Sequence, residues 1–236
     1  MECVRSTGMK ETPTMPALLS DVAPNERPIF VPRLLGQRPE LAVLVAETIS
    51  TWSYAEHALG RSVAAMSRGI NTAEMEDYIE NWRLPKRMKI VRRVATAELA
   101  DPYLPTFLKV LDVIAGLAMR RHAFAHGVWG HVEALPDALL LVDPEHILRH
   151  WGAANDWLAA FIEDGPGSVN RFNPLDNRHV EVWSEPDLKE EVASMNRAYE
   201  LALAAESIAS NDPFDASNAK RKHIHGLLLN DPLIGP

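Results

Sequence analysis

Apolar residues recur every three or four positions over most of the chain, the mark of helices that bury one face. From Glu40 onward Leu41, Leu44, Val45, Thr48, Ile49, Trp52, Ala55, Glu56, Leu59, Val63 and Met66 form such a stripe, and Gly69 closes it. Asn71 or Thr72 can cap a second helix, with Glu74 in its first turn. Pro85 breaks or restarts that helix, and residues 86–100 form a third with Met88, Val91, Val94 and Ala95 inward. Asp101-Pro102 opens the most apolar helix, carrying Leu104, Phe107, Leu108, Leu111, Val113, Ile114, Leu117 and Ala118. A helix apolar over most of its circumference belongs at the centre of a bundle.

After Gly127 the period falls to two. Val128, Gly130 and Val132 alternate with Trp129, His131 and Glu133, and Ala138 to Val142 follow Pro136-Asp137 as a short apolar run, which predicts a hairpin. Asp143-Pro144-Glu145 starts another helix with Ile147, Leu148, Trp151, Ala154, Trp157, Leu158 and Phe161 expected inward, ended by Gly165-Pro166-Gly167. Residues 168–184 read as loop with a strand at His179 to Trp183, and Ser184-Glu185-Pro186 begins a helix reaching about Ala209. The expected fold is all-α, an antiparallel helical bundle with a small β-hairpin insertion. Its parts are a proline-rich extended arm over 1–39, a helical core over 40–165 with the hairpin near 128–142, a loop and added helix over 166–210, and an irregular tail over 211–236.

Composition narrows the function. The chain has 236 residues, 47% of them hydrophobic, and no apolar run near the roughly 20 residues that span a bilayer. No secretory-type apolar stretch opens it, and its one cysteine, Cys3, permits no disulfide framework and no cysteine zinc site. A cytoplasmic protein with no membrane partner is expected. The net charge of −8 argues against a non-specific nucleic-acid coat. Charge is uneven, however: Arg83, Lys86, Arg87, Lys89, Arg92 and Arg93 fall within eleven residues, a run that reads either as a solvated helix face or as a local phosphate-binding patch.

The most informative stretch is Arg121-His122-Ala123-Phe124-Ala125-His126-Gly127. A guanidinium offers a planar fork of donors to phosphate, and imidazole moves protons near neutral pH. On an ideal helix Arg121 and His126 are separated by about 140°. They converge only if the helix ends or distorts, if the arginine wraps, or if a second subunit completes the site. Gly127 makes an ending at His126 reasonable, and His122 and His126 share a face.

This stretch resembles the R-x(4–6)-H signature of the HEPN superfamily. Four residues separate Arg121 from His126, a polar residue follows the arginine, and Ala125-His126-Gly127 with Trp129 closes the motif. An earlier long helix carries Glu56 in Trp-Ser-Tyr-Ala-Glu-His-Ala-Leu-Gly, as in such proteins. Arg120 also has the spacing but lacks the polar follower. The resemblance implies a HEPN-like bundle and a metal-independent endoribonuclease, of toxin or phage-defence type, that needs no cofactor. Arg121, His126 and His122 would be catalytic, Arg120, Trp129, Lys86, Lys89 and Arg93 would contact RNA, and Glu56 would support the site. A homodimer and an antitoxin or inhibitor protein are the implied partners. The alternative is a catalytically silent HEPN-like module that binds a protein or nucleic acid.

Two weaker signals remain. His122 with His126 and His146 with His150 have helical metal-ligand spacing, and His131 lies near the first pair. Of the tryptophans, Trp52, Trp151 and Trp157 fall on apolar stripes and are expected in the core. Lys220-Arg221-Lys222-His223 reads as a solvated tail, with a phosphate contact as the alternative.

Overall fold

The computed structural model describes residues 16–164, 175–210 and 219–235. Residues 1–15 of the proline-rich arm, Cys3 among them, the glycine-proline end expected at 165–167 and the start of the tail lie outside these residues. The elements run β1 (Ala17–Leu18), α1 (Leu19–Val22), α2 (Leu34–Gln37), α3 (Pro39–Met66), α4 (Ala73–Glu80), α5 (Leu84–Glu98), α6 (Tyr103–Leu117) and α7 (Met119–His126). They continue with β2 (Val128–Gly130), β3 (Ala138–Val142), α8 (Pro144–Asp164), a 3-10 turn (Asn177–His179), β4 (Val180–Ser184), α9 (Glu185–Ala209) and α10 (Ala219–Leu229). The chain is therefore mostly helical with a small antiparallel sheet. Among the described residues no helix is long and apolar enough to cross a membrane.

Two compact units form, one from Met1–Ala42 with His126–Glu190 and one from Val43–Ala125 with Glu191–Pro236. This division differs from the sequential arm, core and tail expected from composition, because each unit is assembled from distant stretches.

The second unit is helical. Trp52, Leu59 and Val63 of α3, Val91 and Ala95 of α5, Phe107, Leu111 and Ile114 of α6, and Met195, Ala202 and Ile208 of α9 share one core. The predicted stripes account for the share of α3, α5 and α6, since side chains three and four apart lie on one helix face. Thr72 caps α4, its Oγ1 accepting from Met75 N at 3.3 Å, and Pro85 sits in the first turn of α5 where its missing N–H costs nothing. Arg61 makes a two-pronged ion pair with Glu206, both contacts 2.7 Å, tying α3 to α9. Tyr78 donates its hydroxyl to the Glu56 carbonyl at 2.7 Å, and burial pushes its phenol well above the usual tyrosine value.

Two expectations are corrected in this unit. The tail is not irregular throughout, for α10 packs Leu228 into the core, and His225 Nε2 lies 3.0 Å from Thr106 Oγ1 on α6. Arg221 is half-buried, its Cζ over the Tyr103 ring at 3.9 Å from the centroid, rather than in solvent. A short apolar repeat around Ile224 and Leu228 gave too little periodicity to mark a helix stabilised by tertiary contacts. The apolar run and the Arg-His motif are also not one helix: α6 ends at Leu117, and α7 restarts after Ala118. Gly116 weakens that junction by about 1 kcal/mol relative to alanine.

In the first unit the sheet has strand order β1-β4-β3-β2, all neighbours antiparallel. The hairpin pairs Val128 with Val142 and Gly130 with Leu140, and β4 extends it by pairing Val180 with Val142 and Val182 with Leu140. The expected hairpin is thus half of a larger sheet, whose edge strand β1 comes from the arm read as extended, with no strand pairing expected for it. Ala138, Leu140 and Val142 face Leu19, Val132, Ile147, Val180 and Val182 in a compact apolar core. Asp143 accepts from Glu145 N at 2.7 Å to start α8, and Ser184 and Asp187 form a reciprocal capping box at the start of α9. Asp176 caps the 3-10 turn, and its hydrogen bonds from Arg178 hold its carboxyl down to about 2.

Gly130 is required by a close approach. A Cβ there would lie 2.6 Å from two ring atoms of Phe30 and 3.0 Å from the Ile29 carbonyl oxygen, where residue 29 pairs with His131. Gly130→Ala is expected to cost about 1–3 kcal/mol by overpacking and to raise amide exchange at Ile29 and His131. Arg68 ends α3 at φ 60, with Gly69 N donating to Ala64 O at 2.9 Å, so the left-handed position falls one residue before the expected glycine. Arg68→Gly is expected to stabilise the protein by about 0.5–1 kcal/mol, read as a shift in denaturation midpoint with unchanged slope.

Candidate functional site

The Arg-His motif occupies α7, a helix of eight residues that stops at His126 as Gly127 predicts. Its inner edge is set by Arg120 and Phe124, four residues apart. Phe124 is buried, and Arg120 Nη1 lies 3.3 Å from Glu191 Oε2 of α9. The Glu191 side chain is only 1% exposed, so an uncompensated carboxylate there would be strongly unfavourable. Arg120 thus serves the fold, in contrast to its expected role in contacting RNA.

Arg121 follows by about 100° around the helix. It is half-buried, and its Nε is buried with no hydrogen-bond partner among the described residues. His122 and His126 fall on the outer face, both exposed and one turn apart. The helix is regular through His126, so Arg121 and His126 project about 140° apart along one axis. An arginine that wraps outward, or an arginine from a second copy, is what would bring guanidinium and imidazole together.

The other expected residues are scattered. Glu56 is half-buried on α3 with its carboxylate 3.5 Å from Arg87, so it supports α5 and not Arg121. In the basic run Arg93 pairs with Asp77 at 2.8 Å, Arg92 pairs with Asp112, and Arg83 lies over Trp82 at 5.1 Å. Lys86 and Lys89 are exposed on α5, and neither takes part in an ion pair among the described residues. The run is largely a solvated, carboxylate-balanced face, with two lysines left for an anionic partner. Trp129 is half-buried on β2, opposite Leu141 in the sheet.

Among the described residues no three His, Cys, Asp or Glu side chains gather as metal ligands, so the His122, His126 and His131 grouping does not form. His146 instead stacks on His179, ring centroids 3.9 Å apart.

Sequence reasoning missed Glu191. The signal was present: it sits three residues after Leu188 and four before Met195, a carboxylate at a core position of α9. A cleft of about 1170 Å³ in the first unit also went unread, lined by Arg27, His150, Trp151, Trp157, Asp176 and Arg178 among others.

Comparison with protein-family models, with curated proteins and with solved structures finds no match.

Arg120→Ala leaves the Glu191 carboxylate buried without that guanidinium and is expected to cost about 3–5 kcal/mol in chemical denaturation. The double variant Arg120→Met/Glu191→Leu, which replaces both charges by apolar groups, should recover most of that loss. Equal destabilisation in the double variant would mean that the pair does not carry the energy.

Proposed function

We propose that the chain is a metal-independent endoribonuclease of HEPN type whose working surface is the outer face of α7. The observation that supports this is the exposed imidazole pair, His122 and His126, on a helix whose next face carries Arg121. Two imidazoles one turn apart can divide the roles of base and acid in phosphodiester cleavage. His126 takes the proton of a ribose 2′-hydroxyl, and the 2′-oxygen attacks phosphorus. The bond from phosphorus to the 5′-oxygen breaks, and protonated His122 gives its proton to that leaving oxygen. Arg121, swung outward or supplied by a second copy, stabilises the added negative charge on the phosphoryl oxygens. The products are a 2′,3′-cyclic phosphate and a 5′-hydroxyl. DNA, without the nucleophile, is inert. Lys86 and Lys89 would supply added attraction for the RNA backbone. An enzyme of this kind fits a toxin or phage-defence role in the cytoplasm, held in check by an inhibitor protein.

The partial burial of Arg121 favours a second reading, a catalytically silent HEPN-like module that uses the same face for binding. One assay separates the two. Purified protein is incubated with mixed RNA in chelator, and product ends are identified by mass spectrometry. The ribonuclease reading expects cyclic-phosphate ends, a fall of about 100-fold or more in His126→Ala, and none from a 2′-deoxy substrate. Absence of cleavage, with RNA still bound, selects the module.

A further inference from the structure

The helix α8 carries two parallel apolar stripes. Ile147, His150, Ala154, Trp157 and Phe161 follow three-four spacing and lie on its better covered side, with Ile147 buried. One position on, Leu148, Trp151, Asn155, Leu158 and Ile162 repeat the same spacing. The apolar members of this second stripe are 64%, 58%, 49% and 72% exposed in that order. Of these, Leu148, Trp151 and Leu158 were expected inward from the sequence, and the structure leaves them on the surface.

We infer that this stripe is a self-association seam, and that its occupant is α8 of a second copy of the chain. Four observations support a second copy over an unrelated helix. The spacing places the five residues at successive a and d positions of a heptad, the pattern that seats one helix against another. The seam has one polar member, Asn155, at its midpoint, with Leu148 and Ile162 seven residues to either side. A carboxamide is both donor and acceptor, so Asn155 of one copy satisfies Asn155 of the other across a two-fold axis, where an apolar partner would leave it unsatisfied. The positions flanking the middle of the seam, Gly152, Ala154, Ala159 and Phe161, carry no charge, and Glu145 at its N-terminal end is paired with Arg149 of its own helix. Finally, the uncovered apolar side chains amount to an area on the order of 500 Å² per copy, more than isolated surface residues account for and, doubled across a two-fold axis, about the 1,000 Å² at which specific interfaces begin.

The seam stands apart from the ribonuclease reading, since it uses none of the residues of α7. The test is the mass of the full chain in solution by light scattering and sedimentation. The wild type is expected at twice the chain mass. Leu148→Asp/Leu158→Asp is expected to weaken the dimer by about 100-fold or more while circular dichroism stays unchanged, because both positions are already solvent-exposed in one copy. A Cys3→Ser/Asn155→Cys variant, treated with a short bis-maleimide, is expected to give a single cross-linked dimer. A monomeric wild type, a dimer that survives the double aspartate with native helicity, or a dimer that does not cross-link through residue 155 would each overturn the inference.

Discussion

A carboxylate in the interior must be answered by a cation, and Glu191 is answered by Arg120. That requirement fixes more than two side chains. Because Arg120 and Phe124 lie one turn apart, holding both against the helical core sets the rotation of α7 about its own axis. Residues two and six positions past Arg120 then face solvent, and these are His122 and His126. The chemical character of the outer face therefore follows from a buried ion pair on the inner one.

The same pair explains the division of labour between two adjacent arginines. A sequence motif cannot say which of Arg120 and Arg121 turns inward, since both precede His126 at allowed spacings. The core carboxylate on α9 decides it. Arg121 is left half-buried at the boundary, with its Nε out of solvent.

Much of the fold was legible because it rests on local physics. The stripes of α3, α5 and α6, the Thr72 cap, the proline at the start of α5 and the Asp143 start of α8 are all written in short windows of sequence. What escaped depends on partners far along the chain. Strand β1 is two residues long and exists because Val182 and Glu181 are there to pair with it. Helix α10 depends on Tyr103 and Thr106 for its docking. For the candidate site, the ending of α7 at His126 and the shared face of the two histidines were readable from spacing, whereas the carboxylates chosen by Arg120 and by Glu56's partner Arg87 were not. The apolar stripe of α8 was legible as a stripe, but periodicity shows only that a face is apolar, not whether the same chain covers it.

The proposed activity depends on the outer face of α7 receiving a phosphodiester. The most direct measurement is an NMR titration of the histidine imidazoles with a short RNA made uncleavable by 2′-O-methyl groups. Binding at this face is expected to shift the ring signals of His122 and His126 together while those of His146 and His179 stay unchanged. Shifts confined to other histidines, or none at RNA concentrations that saturate binding, would contradict it.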